Sequence, residues 1–209
     1  MTPVVGTARD MDLVVVPVVH NGLVPKIAAE STLKSAITSL WPARSLKVTF
    51  RAPYTTSVVI PAPTSSISAQ GTAFSQILAE VASLRLSDQS ASDYYGFLNN
   101  GYTWGILGIH QGGWATGIGL DTTGVGEAES LLTFQHELGH GFNLKHSPDG
   151  DAGGPTNRFP YAKVSIGSVG VNVEKGLAYN PSRGYTDIMS YQSPQWVSDF
   201  TYQLSLIHI

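Results

Sequence analysis

The first part of the chain alternates between hydrophobic patterns typical of strands and of helices. A continuous run of apolar, mostly β-branched residues over 12–19 predicts a strand that is buried on both faces. Apolar residues then recur at helical spacing over 33–40, and apolar and polar residues alternate over 45–51 as in a half-buried strand. A second, longer amphipathic helix is indicated over 74–84. This order predicts an α/β fold in which strands and helices follow one another.

Turn-forming residues separate these elements. Ser, Thr and Pro are frequent over 55–71, which predicts an exposed connection. Residues 94–120 are rich in glycine and aromatic side chains around short apolar runs, and we expect two or three strands joined by tight turns there. Helical periodicity disappears after residue 146, so residues 147 to about 190 should be mostly irregular.

These patterns divide the chain into two predicted lobes. An N-terminal α/β lobe covers residues 1–146, and a smaller, coil-rich C-terminal lobe covers residues 147–209. The final segment, LSLIHI over 204–209, resembles a translated adapter tail, and we treat it as a candidate non-native end. The start of the chain, MTPVVGTARDMD, lacks the basic and apolar regions of a secretory signal.

Composition and charge exclude several classes of partner. The net charge is −3 and no run of basic residues occurs, so the electrostatic surface expected of a nucleic-acid-binding protein is missing. The longest apolar run, LVVVPVV from Leu13, is too short to span a bilayer. Only 13% of the residues are charged, which is common in secreted proteins, and we expect an extracellular protein whose signal is absent from this chain. The absence of cysteine excludes disulfides and thiolate ligands, so a bound metal must be held by nitrogen and oxygen.

Residues 136–146, HELGHGFNLKH, hold three of the six histidines of the chain. In a helix predicted over 127–142, His136 and His140 are one turn apart on the same face, and two imidazoles at this spacing can reach one ion at about 2.0–2.1 Å. Glu137 is rotated by about 100° from His136, which keeps its carboxylate off the metal but near a water molecule there. This is the position of a general base.

A third protein ligand is needed, because catalytic zinc usually keeps three protein ligands and one open position. His146 is the candidate, but a helix that continued to it would carry its side chain away from the ion. The sequence therefore predicts that the helix breaks between His140 and His146. Asn143 lies in this interval, and asparagine is, after glycine, the residue that most readily adopts the left-handed conformation that ends helices.

Two other interpretations of the motif stay open at this point. In one, the third ligand is a carboxylate of Glu174, Asp149 or Asp151, and His146 lies on the surface. In the other, the chain is a protein- or glycan-binding domain that retains zinc for structure alone. The intact glutamate of the motif argues against this, since a structural site needs no base. Asp149, Asp151 and Asp187 are also candidate ligands for calcium.

The motif resembles the signature of the metzincin clan of zinc endopeptidases, His-Glu-x-x-His-x-x-Gly-x-x-His followed downstream by a methionine turn. The resemblance implies that His136, His140 and His146 are zinc ligands. It also implies that Glu137 is the general base. Asn143 replaces the glycine that is usual in the clan, and we expect it to adopt the same left-handed backbone.

The segment TDIMSYQ, residues 186–192, resembles the methionine turn. By this resemblance Met189 forms the apolar floor beneath the metal. Tyr191 occupies the place of a tyrosine that in some metzincins ligates zinc or hydrogen-bonds to the reaction intermediate. The sequence around both motifs further resembles a bacterial secreted branch that includes mucin-cleaving metalloproteases.

The resemblance implies both a fold and a function. The expected fold is a metzincin-like zincin of the α/β (α+β) class, with a twisted, mostly parallel sheet in the N-terminal lobe and a terminal helix in the C-terminal lobe. The expected function is zinc-dependent endoproteolysis of proteins or glycoproteins by a monomer, with Zn²⁺ as cofactor. In this clan an edge strand before the active-site helix binds substrate as an additional antiparallel strand, and we place it within residues 105–113.

Overall fold

A computed structural model describes residues 9–101, 105–112, 115–149 and 153–208 of the chain. The strands are, in chain order, β1 (Arg9–Val19), β2 (Ala43–Phe50), β3 (Tyr54–Thr55), β4 (Asp93–Leu98), β5 (Gly108–His110), β6 (Thr116–Leu120), β7 (Gly170–Asn172), β8 (Leu177–Tyr179), β9 (Thr186–Asp187) and β10 (Gln195–Trp196). The α-helices are α1 (Glu30–Thr38), α2 (Ile67–Ser87), α3 (Thr122–Val125), α4 (Glu127–Gly141) and α5 (Asp199–His208).

The central sheet has the strand order β2-β1-β4-β6-β5, and β3 pairs with β1 beyond the end of β2. Every pair within the sheet is parallel except β5 with β6, which is antiparallel. Two connections carry helices, α1 between β1 and β2 and α2 between β3 and β4, whereas β4 reaches its parallel neighbour β6 through the edge strand β5. The expected α/β fold with a mostly parallel sheet is thereby confirmed, and it is compatible with a zincin.

Strand β1 is buried on both faces of this sheet, as its continuous apolar run predicts. Leu13 and Val15 point into one hydrophobic cluster, to which α1 and α4 contribute. Val16 and Val18 point into a second cluster, which packs against α2. Helix α4, which carries the histidine motif, is therefore held on the first of the two faces.

Helix α2 begins earlier than the sequence pattern indicated. Ser66 caps it by accepting a hydrogen bond from the Ala69 N–H at 3.2 Å, and the helix follows directly. The expectation of an exposed connection over 55–71 is therefore wrong for its last residues, and Thr55 belongs to β3. Serine is common both as a helix cap and in turns, so the sequence did not indicate that α2 begins after Ser66. Among the described helices, α2 included, none combines the length and the apolar character needed to cross a membrane.

The glycine-rich region over 94–120 contributes three strands, β4, β5 and β6, the larger number that its pattern allowed. Strand β5 forms the outer edge of the sheet, and Gly108 lies opposite Gly119 in its pairing with β6. Along the chain, β6 and the short helix α3 lie between this edge strand and the helix that carries the motif.

The chain after the motif consists mainly of loops, as predicted. Short strands form two small sheets, β7 with β8 and β9 with β10, and α5 is the expected terminal helix. Ile166, Ile188 and Trp196 belong to the same hydrophobic cluster as residues of α1 and α4. This cluster joins the loops to the face of the sheet on which α4 lies. The division at residue 146 and a non-native end at 204–209 stay predictions.

Candidate metal centre

Helix α4 ends inside the histidine motif through a defined arrangement of backbone hydrogen bonds. Asn143 has φ 58°, in the left-handed region. Its N–H bonds to the His140 carbonyl at 2.9 Å, and the Leu144 N–H bonds to the Gly139 carbonyl at 3.1 Å. Two such bonds around one left-handed residue form a Schellman motif. The predicted helix break, and the left-handed conformation expected of Asn143, are both confirmed.

The turn brings His146 back toward the helix. One ring nitrogen from each of His136, His140 and His146 lies within 4.8 Å of the other two, and within the described ranges these three side chains form a group that could hold a metal ion. The Nε2 atoms of His140 and His146 are 3.0 Å apart. Two nitrogens of a tetrahedral zinc site are about 3.3 Å apart when each lies about 2.0–2.1 Å from the ion. The spacing therefore fits one shared cation.

Backbone carbonyls fix which nitrogen of each ring is free. Each ring has its Nδ1 atom at hydrogen-bond distance from a carbonyl oxygen. The pairs are His136 with Ile188 at 2.8 Å, His140 with Leu144 at 2.8 Å, and His146 with Gly153 at 2.6 Å. A carbonyl only accepts, so in the neutral ring Nδ1 carries the proton and Nε2 presents a lone pair. Lone pairs that face one another repel, and a shared cation satisfies all three, so these residues fit a zinc ion.

Burial keeps the two helical histidines unprotonated. His136 is 8% exposed, and desolvation lowers the pKa of its ring to about 3. Desolvation and, to a smaller degree, the neighbouring His146 lower the pKa of His140 to about 4. A histidine must be unprotonated to bind a metal, so both rings are ready to bind at neutral pH.

Glu137 is buried between α4 and the edge strand. Its side chain is 6% exposed, and its Cγ lies 3.0 Å from the position that a Cβ on Gly108 would take. Burial raises the pKa of the Glu137 carboxyl group to about 8. Its Oε2 atom has no hydrogen-bond partner among the residues that the structure describes. A divalent cation at the histidines would favour the ionised carboxylate, which is the form that accepts a proton.

The residues after β9 pack against α4. Met189 is fully buried, and a Cβ on Gly139 would overlap its sulfur atom. Asp187 accepts hydrogen bonds from Ser147 Oγ at 2.7 Å and from the Met189 N–H at 2.9 Å. It also accepts one from the Ser198 N–H at 2.9 Å. Asp187, a calcium candidate in the sequence, thus uses its carboxylate to tie three separate segments together.

Tyr191 lies beside the third histidine. It is 58% exposed, and its Oη atom is 3.0 Å from His146 Nε2. Asp149 holds this segment, since its Oδ2 accepts a hydrogen bond from the Tyr191 N–H at 3.0 Å. Its Oδ1 accepts another from the Gln192 side chain at 3.0 Å. The structure therefore brings Tyr191 to the histidines and gives the Asp149 carboxylate partners other than a metal.

The carboxylates considered as alternative third ligands have other surroundings. Glu174 accepts a hydrogen bond from Ser35 Oγ on α1 at 2.7 Å. Neither Glu174 nor Asp149 belongs to the close group of ligand atoms that includes His146. Asp151, the remaining candidate, lies outside the described residues.

Strand β5 lies at the sheet edge within the range 105–113 predicted for it, of which residue 113 falls outside the described part of the chain. A Cβ on Gly108 would lie 2.7 Å from Thr133 Cγ2 and 3.0 Å from Glu137 Cγ, both on α4. Glycine at this position therefore allows the edge strand to approach the motif helix closely.

Two side chains near the histidines were given no role from the sequence. His110 on β5 packs against the end of α4, and its Nε2 lies 2.9 Å from the position of a Cβ on Gly141. Burial lowers the pKa of His110 to about 4. Tyr95 on β4 is fully buried on the face of the sheet that α4 covers. The only available signal for His110 was its place in the predicted edge strand, and no local pattern distinguishes Tyr95.

A comparison with protein families agrees with this geometry. Residues 69–170 match the model of the family Peptidase M66, a family of zinc metallopeptidases. The matched segment extends from α2 through β4, β5, β6 and α4 and contains the three clustered histidines. No curated protein matches the chain in a sequence search. The match and the histidine cluster together confirm the resemblance to a zinc metallopeptidase that the motif indicated, and residues 69–170 are similar to Peptidase M66.

Proposed function

We propose that this protein is a zinc-dependent endopeptidase whose zinc ligands are His136, His140 and His146. The observation that carries the proposal is the convergence of three imidazoles whose Nδ1 atoms all face carbonyl oxygens. Their Nε2 atoms can then bind one cation, and three protein ligands leave a fourth position open for chemistry. Zinc bound there would polarise a peptide carbonyl and lower the pKa of a water molecule toward about 7.

Glu137 is the general base in this proposal. It takes one proton from the attacking water as the water oxygen bonds to the carbonyl carbon. It then passes that proton to the amide nitrogen as the carbon–nitrogen bond breaks, so the peptide is cleaved into an acid and an amine. Its 6% exposure supports this role, because a carboxylate shielded from bulk water exchanges its proton with the substrate rather than with solvent.

Tyr191 stabilises the oxyanion that forms during the attack. Its hydroxyl lies 3.0 Å from His146 Nε2, so a peptide carbonyl polarised by zinc at the histidines would lie near this hydroxyl. A hydroxyl held at this position donates a hydrogen bond where negative charge develops. Met189 supports the site from within the core as the residue of a methionine turn, packed against Gly139 of the motif helix.

The substrate is a protein chain that extends the sheet at β5. This strand pairs with β6 on one side, and no strand covers its other side among the described residues. A peptide bound there forms main-chain hydrogen bonds and passes in front of α4. We further propose that the enzyme acts as a monomer outside the cell and that its substrates include glycoproteins, in line with the mucin-cleaving branch that the motifs resemble.

The test compares the wild type with Glu137→Gln on an unfolded protein and on a mucin-type glycoprotein, with zinc content measured in parallel. We expect wild-type cleavage of at least one substrate, and near-complete loss in Glu137→Gln with zinc retained. Equal cleavage by both proteins would remove Glu137 from the mechanism. Zinc bound without cleavage of either substrate by the wild type would instead indicate the zinc-retaining binding domain.

A further inference from the structure

Tyr95 is a buried ionisable residue for which the proposed mechanism has no role. It lies on β4, is fully buried, and its hydroxyl has no hydrogen-bond partner among the residues described. A phenylalanine would fill the same space without that unpaired polar group. A buried hydroxyl of this kind in a native protein calls for a physical explanation.

The Tyr95 ring crosses strand β6 over two glycines. Tyr95 lies beside Gly117 in the parallel pairing of β4 with β6. A Cβ on Gly117 would lie 3.0 Å from Tyr95 Cδ2, and a Cβ on Gly119 would overlap the Tyr95 hydroxyl oxygen. Glycine at both positions therefore opens a path for the ring, which carries its hydroxyl across β6 toward the edge strand.

This path ends beside Glu137. Gly119 lies opposite Gly108 of β5, and directly opposite residues in an antiparallel pair point to the same face of the sheet. Glu137 Cγ lies 3.0 Å from the position of a Cβ on Gly108. The Tyr95 hydroxyl and the Glu137 side chain therefore lie on the same face of the sheet, each over one glycine of this pair. Burial, and to a smaller degree the Glu137 charge, raise the pKa of Tyr95 well above its usual value, so the hydroxyl keeps its proton.

The two side chains have complementary hydrogen-bonding capacity. Glu137 Oε2 is buried and, like the Tyr95 hydroxyl, has no partner among the described residues. A phenol donates one hydrogen bond, and an ionised carboxylate only accepts. The terminal torsion of a glutamate is soft, so its carboxylate turns toward a nearby donor at little cost.

We propose that Tyr95 is a positioning residue for Glu137: its hydroxyl donates a hydrogen bond to the buried carboxylate oxygen and thereby aims the other oxygen at the substrate. The inference rests on the proposed function, since it gives Glu137 the role of the base. Tyr95 lies outside the histidine group and acts through Glu137. Glycine is then required at positions 117 and 119 for catalysis, because a side chain at either position would block the Tyr95 ring.

The kinetic test uses two neighbouring tyrosines. Tyr95→Phe removes the hydroxyl and keeps the ring, and Tyr94→Phe is the matched control, because the Tyr94 hydroxyl bonds to Asp88 at 3.0 Å away from the motif helix. We expect Tyr95→Phe to lower kcat on the order of tenfold, with KM and zinc content unchanged. Tyr94→Phe should leave kcat unchanged. A wild-type kcat per folded molecule in Tyr95→Phe would overturn the proposal.

A second measurement does not depend on turnover. In the zinc-loaded protein, a double-mutant cycle combines Tyr95→Phe with Glu137→Met, which removes both carboxylate oxygens at similar volume. We expect their shifts in denaturant midpoint to be non-additive, and those of Tyr94→Phe and Glu137→Met to add. Additive shifts for Tyr95 and Glu137 would overturn the positioning contact whether or not the chain cleaves peptides. Non-additive shifts in a chain without turnover would uphold the contact while the proposed function fails.

Discussion

The Nε2 atoms of His140 and His146 lie 3.0 Å apart, although one histidine belongs to α4 and the other to the loop that follows it. A continuing helix would have separated their rings. The left-handed residue between them, Asn143 with φ 58°, reverses the chain and closes this distance. The backbone at one residue therefore decides whether a third imidazole reaches the other two.

Substitutions of Asn143 should separate backbone geometry from metal binding. Asn143→Gly should keep zinc affinity and change the free energy of unfolding by less than about 1 kcal/mol, because glycine adopts this conformation freely. Asn143→Val should cost roughly 1–2 kcal/mol and weaken zinc binding, because a β-branched residue disfavours positive φ and its relaxation moves His146. Denaturant unfolding and zinc competition measure both effects. Wild-type zinc affinity in Asn143→Val would show that the turn does not position the ligand.

The substitution Gly108→Ala should displace the side chain of Glu137, the proposed general base. The new Cβ would lie 2.7 Å from Thr133 Cγ2 and 3.0 Å from Glu137 Cγ, so the edge strand or the motif helix must shift. We expect a loss of about 1–3 kcal/mol in the free energy of unfolding and a lower kcat. Gly112→Ala is the control on the same edge, because among the described residues its Cβ would approach only the His140 carbonyl oxygen, at 4.0 Å. Equal kcat values for Gly108→Ala and Gly112→Ala would show that the position of β5 does not affect catalysis.

Much of the site follows from local patterns, and the remainder from contacts that no local pattern encodes. The spacing of His136 and His140 is fixed by the period of a helix, and the turn at Asn143 by the conformational preference of one residue. Asp149 accepts a hydrogen bond from the Tyr191 N–H 42 residues along the chain, and Asp187 accepts one from Ser147 Oγ 40 residues away. Only the folded loops bring these groups together, so their sequence surroundings gave no signal.

The fold, like the site, follows partly from local sequence patterns and partly from contacts between distant residues. The alternation of strand and helix patterns predicted an α/β order with a first strand covered on both faces, and the mostly parallel sheet was implied by the family resemblance. The start of α2 escaped prediction because Ser66 acts as a cap, a role that depends on whether the next residues are helical. The path of Tyr95 across two glycines of β6 depends on the order of strands in the sheet. That order is a tertiary property, which hydrophobic periodicity does not specify.

Removal of the Asp149 carboxylate should act through Tyr191. Asp149→Ala frees the Tyr191 N–H and the Gln192 side chain, so the tyrosine hydroxyl loses its fixed position beside His146. We expect kcat to fall on the order of tenfold with zinc affinity unchanged. In a Tyr191→Phe background the same substitution should cause no further loss. Loss of zinc from Asp149→Ala would instead make Asp149 a ligand.

Without metal, Glu137 should make stability depend on pH. Burial raises the pKa of this carboxyl group from 4.5 to about 8, so between these values the folded chain keeps a proton that the unfolded chain has released. The contribution of Glu137 to the free energy of unfolding therefore falls as the pH rises through this window. With a chelator present to remove metal, we expect the denaturant midpoint of the wild type to decrease from pH 4.5 to 8, relative to the midpoint of Glu137→Gln at the same pH. An increase over the same range would contradict the burial of the carboxyl group.

The decisive measurement is the zinc affinity of the wild type and of His146→Ala, obtained by competition with a chelator of known affinity. His20→Ala serves as the control, since it removes another histidine outside the close group of ligand atoms. We predict one zinc ion per chain for the wild type and His20→Ala, and an affinity at least on the order of a hundredfold weaker for His146→Ala, because one of three protein ligands is lost. Equal zinc affinity in all three proteins would show that the three imidazoles do not share one ion.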